Sequence, residues 1–220
     1  MQISRVNRSK RAAKKTYDRL SSFYDLLAGT RETQFMHRGL ELMPIHTGGT
    51  ILEIGSGTGK ALVELGNQVG ETGKVHGIDL SRGMLLQSRH RLGKAGLQAR
   101  VVLIEGDGTR LPYKRGSFTA IFISFTLELF DTPEIPFVLE ECQRVLVPGG
   151  LLGVVSLRTT ESPGRIVRLY EWFHVHFPTY VDCRPIDAQG MVQAAGFKIV
   201  KKQIGRMWGL PVEVMLAGKA

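Results

Sequence analysis

A glycine-rich turn after a short β-branched run constrains the fold of this chain more than any other feature. Residues 50–54 read Thr-Ile-Leu-Glu-Ile, and the run then breaks into three glycines at alternate positions, Gly55, Gly57 and Gly59. Glycine tolerates backbone conformations that other residues avoid, and its missing Cβ lets a ligand approach the main chain. A strand that turns sharply into a helix through such glycines is typical of nucleotide-binding α/β folds. The sequence therefore predicts a strand, a ligand-binding turn and a helix here.

The residues around these glycines indicate the charge of the ligand. A dinucleotide fingerprint reads G-x-G-x-x-G, but Lys60 stands at its third glycine position. Acidic residues lie at the ends of three successive predicted strands, namely Glu53, Asp79 and Asp107. Three carboxylates around one crevice would repel a pyrophosphate, whereas they suit a ligand with an ammonium, a sulfonium, ribose hydroxyls and an adenine amine. S-adenosylmethionine carries all four groups.

Five segments in order resemble the motifs of a known enzyme family: Leu52–Gly59, Gly77–Leu85, Glu105–Pro112, Ser117–Ile121 and Arg144–Gly150. They resemble the class I S-adenosylmethionine-dependent methyltransferases. Within that class they are most similar to the branch that contains the ubiquinone and menaquinone biosynthesis methyltransferases. Five motifs in the right order are far more specific than one glycine loop. The resemblance covers roughly residues 17–157 and says little beyond them.

Carried over by position, the resemblance implies a set of cofactor-binding residues: Glu53, Gly55, Gly57, Gly59, Asp79, Leu80, Met84, Asp107 and Gly108. The glycines would admit the methionine half, with Glu53 near its ammonium. Asp79 would accept from the ribose hydroxyls, Met84 would pack on adenine, and Asp107 would accept from the adenine amine beside the Gly108 backbone. Taken singly, these residues also fit a structural glycine turn, a helix-capping aspartate and a solvated loop aspartate. Their joint occurrence in order favours the cofactor site.

Alternating strand and helix patterns predict an α/β fold, a Rossmann-like doubly wound sheet of seven strands. The predicted strands are 50–54, 74–79, 100–104, 120–124, 151–157, 198–204 and 212–216. A short segment, Gly205–Gly209, joins the last two, so they should be antiparallel, because parallel neighbours need a long crossover. Helices are predicted over 17–27, 32–43 and 60–68, from Ser81 to an end near Gly93–Gly96, and from Asp131 or Thr132 to Leu146.

Length and composition predict one compact domain. With 220 residues and 43% apolar content, the chain can bury a substantial core. Residues 1–45 would form a basic arm and a helical lid, and residues 46–220 the Rossmann-like domain, with a substrate-side insertion at about 158–190. No apolar run approaches the roughly 20 residues of a membrane span, and the N-terminus shows no apolar signal segment. Two cysteines give no disulfide framework, which favours a reducing, cytoplasmic compartment. No metal site is predicted.

The net charge of +9 is concentrated near the N-terminus. Residues 1–19 hold seven Lys or Arg against a single acid, Asp18. Such a run reads as a solvated helix face, as peripheral contact with an anionic membrane, as a nucleic-acid arm or as a transit peptide. Base methylation is disfavoured because the segment Ser124–Glu128 lacks the Pro-Pro-aromatic motif with which amino-directed base methyltransferases hold a flipped base. An RNA methyltransferase and a nicotinamide-dependent reductase remain the alternatives to methylation of a small molecule or lipid, either quinol-like or phospholipid-like.

Methyl transfer from a sulfonium asks little of the protein beyond alignment and exclusion of water. A general base is needed only if the acceptor must lose a proton, as a quinol would. The candidates are His176, Tyr180 and Asp182 in the insertion and Tyr24 in the lid, and none of them stands out. The insertion also carries a basic and aromatic stripe that reads either as a polar helix face or as the border of a substrate entrance or lipid surface: Arg165, Arg168, Trp172 and His176.

Overall fold

The computed structural model describes Val6 and residues 9–21, 24–160, 164–176 and 183–219. Its helices are α1 (Lys10–Leu20), α2 (Tyr24–Leu42), α3 (Lys60–Gln68), α4 (Arg82–Lys94), α5 (Ile135–Val145), α6 (Arg165–His176) and α7 (Ala188–Ala194). Its strands are β1 (Thr50–Ile54), β2 (Lys74–Asp79), β3 (Val101–Glu105), β4 (Phe118–Ser124), β5 (Leu146–Leu157), β6 (Phe197–Met207) and β7 (Leu210–Lys219).

The seven strands form a single sheet in the order β3-β2-β1-β4-β5-β7-β6. Strands β1 to β5 pair in parallel, and β7 runs antiparallel to both β5 and β6. The predicted Rossmann-like sheet with an antiparallel last strand is thereby confirmed. The chain order reverses between β1 and β4, and ligands of such sheets bind where this switch meets the carboxyl ends of the strands. The glycine turn after β1 lies at that point.

Helices cover both faces of the sheet. On one face α2 and α3 pack against a core that includes Phe35, Leu62 and Phe122. On the other face α5 and α7 cover a second core, in which the apolar stripe of α5 is fully buried: Ile135, Val138, Leu139, Cys142 and Val145. Helix α2 approaches the sheet closely at Gly39, where an added Cβ would lie 2.6 Å from Val155 Cγ2. The carboxyl half of α2 is therefore a layer of the core, and the division of the chain at residue 45 stays a prediction.

The N-terminal helices differ from the predicted ones. Helix α1 begins inside the basic run, because the Ser9 hydroxyl accepts from the Ala12 amide at 3.3 Å and caps it. It ends at Leu20, before a turn at Ser21, and α2 begins at Tyr24, well before the predicted start at Glu32. The prediction of one helix over 17–27 was wrong because its apolar residues are divided between two helices.

Several strand limits also differ from prediction. Strand β3 lies one residue later than predicted, and β4 begins two residues earlier, at Phe118. Strand β5 begins at Leu146, earlier than the predicted start at residue 151, because residues 147–150 form an irregularity within it, where the register with β4 shifts. Strands β6 and β7 continue to a two-residue turn, Trp208–Gly209, with φ of 51° and 84°. Two positive φ angles are what a type I′ hairpin requires.

Candidate cofactor-binding site

A cavity of about 220 Å³ opens at the carboxyl edge of the sheet, where β1, β2 and β4 end. Eight of the nine predicted cofactor residues line it: Glu53, Gly55, Gly57, Asp79, Leu80, Met84, Asp107 and Gly108. Gly59 is not among the lining residues. It precedes α3 with φ 81°, and an added Cβ would lie 2.7 Å from Ser88 Oγ, so its lack of a side chain lets α3 and α4 pack together. Its predicted contact with the cofactor stays a prediction.

The other two glycines differ in what surrounds them. Gly55 has φ 74°, and an added Cβ would lie 2.3 Å from the side chain of Thr126. Gly57 has φ 51° and open space where its Cβ would be, with no atom within 4 Å. Gly55 therefore allows the turn to pass beneath Thr126, whereas Gly57 leaves room for a ligand against the main chain.

Asp79 fixes the turn through its carboxylate. One oxygen accepts from the Gly57 amide at 2.8 Å and the other from the Ser81 amide at 2.8 Å. Burial raises the pKa of this carboxyl above its ordinary value, although both backbone hydrogen bonds act in the opposite direction. Because each carboxylate oxygen has a second lone pair, Asp79 can still accept from ligand hydroxyls.

Glu53 is a buried carboxyl at the cavity wall. Its side chain is 4% exposed, and in the described part of the chain its Oε2 has no hydrogen-bond partner. Burial, together with the charge of Asp79, raises the pKa of Glu53 well above its usual range. A buried polar atom without a partner is costly. A cationic ligand group placed beside Glu53 would offset that cost, and this is the position where the ammonium of S-adenosylmethionine is expected.

Asp107 is already bonded at this site. Its Oδ1 accepts from the amide and hydroxyl of Thr109, both at 2.9 Å, and its Oδ2 accepts from Lys10 Nζ at 2.6 Å. Lys10 also pairs with Glu134 at 2.7 Å. Burial acts to raise the pKa of Asp107, but the hydrogen bonds from Lys10 and Thr109 hold it below its ordinary value. The predicted acceptor for the adenine amine therefore shares its carboxylate with a lysine of the basic run.

Helix α1 lies across the mouth of the cavity. Asp18 Oδ1 accepts from Ser81 Oγ at 2.7 Å and from the Gly83 amide at 2.8 Å, at the start of α4. Lys14 pairs with Glu105 at the end of β3. Between these contacts, the α1 residues Ala13 and Tyr17 line the cavity with Lys10. Sequence reasoning missed Lys10, Lys14 and Asp18 as site residues because no fixed spacing links them to partners that are 63 or more residues away.

Side chains from α2, α3 and β4 form the other end of the cavity. Glu32, Thr33 and Lys60 line it there, and Lys60 Nζ donates to Thr33 Oγ1 at 3.3 Å. Phe125, the first residue after β4, has φ 48° and is buried, with its amide bonded to Val155 O at 2.8 Å. A positive φ at a bulky residue is strained and is found mainly at functional sites. No sequence pattern marked Phe125 as a site residue.

Glu128 is a second buried carboxyl near this end. It is fully buried, and its Oε1 accepts from the Leu157 amide at 3.0 Å. Burial, with a smaller contribution from the charge of Glu32, raises the pKa of Glu128 to about 8. The nearby Arg184 guanidinium acts in the opposite direction. A lone glutamate in the apolar segment after β4 was the only signal that sequence reasoning could have used.

The structure leaves the four catalytic candidates untested. Tyr180 and Asp182 lie outside the described residues. Tyr24 is the first residue of α2 and His176 the last of α6, but their side chains also lie outside the described part of the chain. Their roles stay predictions. Within the residues that are described, no group of three His, Cys, Asp or Glu could hold a metal ion, and no helix is long and apolar enough to cross a membrane.

The residues around the cavity fit S-adenosylmethionine. Glu53 offers the ammonium an oxygen that has no partner among the described residues, Asp79 retains acceptor capacity for ribose, and the open side of Gly57 admits a ligand against the backbone. Leu80 and Met84 give the cavity apolar walls beside them. The carboxylates that line the cavity outnumber its two lysines, Lys10 and Lys60. This balance favours a cationic ligand over a pyrophosphate.

Comparisons with known proteins agree with this fit. A family model described as a methyltransferase domain matches residues 51–150. The demethylmenaquinone methyltransferase of Oceanobacillus iheyensis is 33% identical over 146 residues, which are 66% of this chain and 59% of that protein. The enzyme of the same name from Lactobacillus johnsonii is 30% identical over 165 residues, which are 74% and 65% of the two chains. The chain thus spans about three fifths of the length of these relatives.

Solved structures share the fold. The [4+2]-cyclase SpnF has a TM-score of 0.79 at 18% identity and covers 99% of this chain and 98% of its own. A methyltransferase from Aquifex aeolicus, described as dependent on S-adenosylmethionine, has a TM-score of 0.63 at 22% identity and covers 84% and 89%. The family match, which runs from β1 into β5, and the two relatives, which are 33% and 30% identical, support a class I S-adenosylmethionine-dependent methyltransferase of the menaquinone-like branch.

Proposed function

We propose that this protein transfers the methyl group of S-adenosylmethionine to a quinol-like small molecule. The observation that carries the proposal is the buried carboxyl of Glu53, whose Oε2 has no partner in the described part of the chain, beside Asp79 and the open glycine turn. A dinucleotide would bring two phosphates to these carboxylates, whereas a sulfonium cofactor brings an ammonium.

The protein would contribute binding, orientation and exclusion of water. Bound S-adenosylmethionine supplies a methyl group that its sulfonium already activates. Glu53 would hold the ammonium, Asp79 the ribose hydroxyls, and Asp107, with Lys10, the adenine end. Helix α1 would close the mouth of the cavity above them through Asp18, and a dry, aligned site is the main requirement of in-line displacement.

The acceptor is inferred from the relatives and from the walls of the cavity. Both relatives named above are demethylmenaquinone methyltransferases. At the α2 and β4 end of the cavity, Met36 and Phe125 offer apolar surface, which suits an aromatic ring. A quinol must lose a proton to become a good nucleophile, and the candidates for the base are still Tyr24, His176, Tyr180 and Asp182. The proposed compartment is the cytoplasm, with peripheral contact between the protein and an anionic membrane.

The alternatives receive less support. A nucleic-acid arm would need its cations exposed to phosphates, but Lys10 and Lys14 are engaged with Asp107, Glu134 and Glu105. A nicotinamide-dependent reductase would need a pyrophosphate site, which the acidic cavity disfavours. A third possibility is that the site serves a reaction other than methyl transfer, because the cyclase SpnF shares this fold and a fold does not determine a function. Product analysis separates it from the proposal.

Calorimetry with S-adenosylmethionine, S-adenosylhomocysteine and NADH tests cofactor choice. We expect the two adenosyl compounds to bind and NADH to give no heat. Asp79→Asn and Glu53→Gln should each weaken binding by roughly tenfold, since each removes a charge-assisted contact. Asp187→Asn is the matched control: Asp187 caps α7 through the Gly190 amide at 3.0 Å, and asparagine caps equally well. Binding of NADH alone would overturn the proposal.

Turnover with a short-chain demethylquinol and cofactor labelled in its methyl group tests the reaction itself. We expect labelled quinol and S-adenosylhomocysteine in equal amounts. Cofactor binding without S-adenosylhomocysteine formation, across quinol, phenol and phospholipid acceptors, would show that the site is used for another purpose.

A further inference from the structure

We propose that the outer surface formed by α6 and the tip of the β6–β7 hairpin binds an anionic lipid bilayer. This aromatic–basic surface is defined by Leu169, Trp172, Trp208, Arg168 and Arg206. It is separate from the basic run at the N-terminus. The inference rests on the proposed function in one respect: a quinol-like acceptor with an apolar tail would reach the protein from the bilayer.

Large apolar side chains are exposed on this surface. Leu169 is 57% exposed, Trp172 is 49% exposed and Trp208 is 51% exposed. The chain has two tryptophans in all, and both are in this surface. Tryptophan is on average a highly buried residue in soluble proteins. An exposed tryptophan is the side chain most typical of a membrane interface, where its ring contacts the acyl region and its N–H reaches the headgroups.

Helix α6 separates an inner face from an outer one. Val167 and His174 are each 6% exposed, and Tyr170 packs against the core while its hydroxyl donates to Cys183 O at 2.9 Å. These three residues fix the helix to the protein. Leu169 and Trp172, three residues apart, lie on the side that the core does not cover. An amphipathic helix with tryptophan, leucine and arginine outside is typical of interfacial binding.

The hairpin tip exposes Trp208 at a structural cost. Its φ is 51°, in the left-handed region that a bulky residue adopts only under strain. The strands' neighbouring residues, Met207 and Leu210, are each 3% exposed and belong to the same core as Val167. The stem of the hairpin is therefore anchored whether or not position 208 is aromatic. Asparagine would fit this turn better than tryptophan, so the fold does not account for the tryptophan.

Both parts of the surface lie at the edge of the sheet where the cofactor cavity opens. Strand β6 pairs antiparallel with β7, and β7 pairs antiparallel with β5, so β6 runs parallel to β5. Its end at Met207 therefore reaches the same edge as the glycine turn after β1. Helix α6 follows the end of β5 at that edge. A bilayer seated there would face the side of the protein from which an acceptor enters.

Charge complementarity selects an anionic bilayer. Strand β6 has no acidic residue, and its exposed Arg206 lies beside the hairpin tip, whereas Lys201 and Lys202 lie farther back along the strand and Lys202 Nζ is 4.0 Å from Glu213. Arg38 of α2 adds a cation beside Gly205, where an added Cβ would lie 3.3 Å from Nη1 of Arg38. Lysines on an edge strand also oppose aggregation. That role does not explain the tryptophan at the end of β6, because an exposed tryptophan acts in the opposite direction. Each basic residue near an anionic surface strengthens binding by roughly fivefold.

Intrinsic fluorescence is a selective probe, because every tryptophan of the chain lies in the proposed surface. We expect the emission of the full-length protein to shift to the blue with phosphatidylcholine–phosphatidylglycerol vesicles, and lipids brominated on their acyl chains to quench it. Phosphatidylcholine vesicles alone should bind at least roughly fivefold more weakly, a difference that added salt removes.

Two substitutions test the surface without disturbing the fold. Trp208→Asn creates the Asn-Gly pair that type I′ turns prefer, so the hairpin should be at least as stable while vesicle binding falls. Arg206→Glu should weaken binding to anionic vesicles by roughly tenfold or more, since it replaces an attraction with a repulsion. The controls are Phe137→Ala, which removes an exposed aromatic from α5, and Arg115→Glu, which reverses an exposed charge just before the start of β4.

Each outcome is decisive. Equal vesicle binding by the four variants would overturn the proposal. Absence of vesicle binding in a protein that forms dimers or binds RNA through this surface would overturn it as well. Turnover of the short-chain quinol is measured without lipid. Absence of vesicle binding by the unsubstituted protein, with turnover intact, would therefore overturn the docking surface alone, and absence of turnover with lipid binding intact would overturn the proposed function alone.

Discussion

At the residue scale, each of the three glycines of the turn meets a different physical requirement, although they belong to one motif. The alternation predicted a tight turn near a ligand, and the structure confirms that turn. It could not distinguish Gly55, which passes beneath Thr126, from Gly57, which faces open space, or from Gly59, which packs against Ser88. These differences depend on residues 29 to 71 positions away in the chain, so no local pattern encodes them.

Gly55→Ala should unfold or strongly destabilise the protein. Its φ of 74° would cost alanine about 1–2 kcal/mol, and the contact of 2.3 Å with Thr126 adds an overpacking cost of about 1–3 kcal/mol. Gly96→Ala is the matched control, because it has φ 69° and no atom within 4 Å of the added Cβ, so only the first cost applies. Urea unfolding compares the two, and equal losses would show that the contact with Thr126 is relieved by movement.

Glu128 should make stability depend on pH. The folded protein keeps a proton on this carboxyl up to about pH 8, whereas the unfolded chain releases it near the ordinary pKa of 4.5. Its contribution is therefore fully present below about pH 4.5 and is lost as the pH rises toward 8. Glu53 and Asp79, whose pKa values are also raised, act in the same direction.

Glu128→Gln keeps an acceptor for the Leu157 amide but removes this titration. The free energy of unfolding should therefore fall less between about pH 5 and pH 8 in the variant than in the parent protein, by a few kcal/mol at most. Glu140→Gln, an exposed position on α5, serves as the control. Parallel pH profiles for all three proteins would contradict a raised pKa at Glu128.

At the scale of elements, helix α1 is what the sequence described least well. Its lysines read as a charged arm with several candidate partners, and two of them instead pair with carboxylates of the same molecule. The pairing partners lie at the end of β3, just after β3 and just before α5, so the contacts exist only once the sheet has formed. Helix α1 lies across the mouth of the cavity, and the helical lid predicted within residues 1–45 stays a prediction.

Asp18→Ala should loosen α1 from the cavity. The variant loses the hydrogen bonds to Ser81 Oγ and the Gly83 amide, so amide exchange of residues 10–20 should accelerate and affinity for S-adenosylmethionine should fall severalfold. Lys15→Ala on the exposed side of the same helix is the control. Hydrogen exchange by mass spectrometry measures the first effect and calorimetry the second. Unchanged exchange would show that other contacts hold α1 in place.

At the scale of the whole molecule, the order of strands and helices from β1 to β5 was predictable because each is signalled locally. Buried stripes, caps such as Ser81 and glycine turns mark them within a few residues. The antiparallel end of the sheet followed from the shortness of the β6–β7 connection alone. What sequence could not supply were contacts between distant segments, such as Lys10 with Asp107, and backbone states set by their surroundings, such as the strained Phe125.

The ion pair between Lys10 and Asp107 has a kinetic consequence. If the adenine amine is to reach the same carboxylate, every exchange of spent for fresh cofactor must first open this pair and later let it reform. The residence time of the product would then shorten as ionic strength increases, because salt weakens a partly exposed ion pair more than the contacts inside the cavity. Turnover limited by product release would accordingly speed up with added salt before denaturation intervenes.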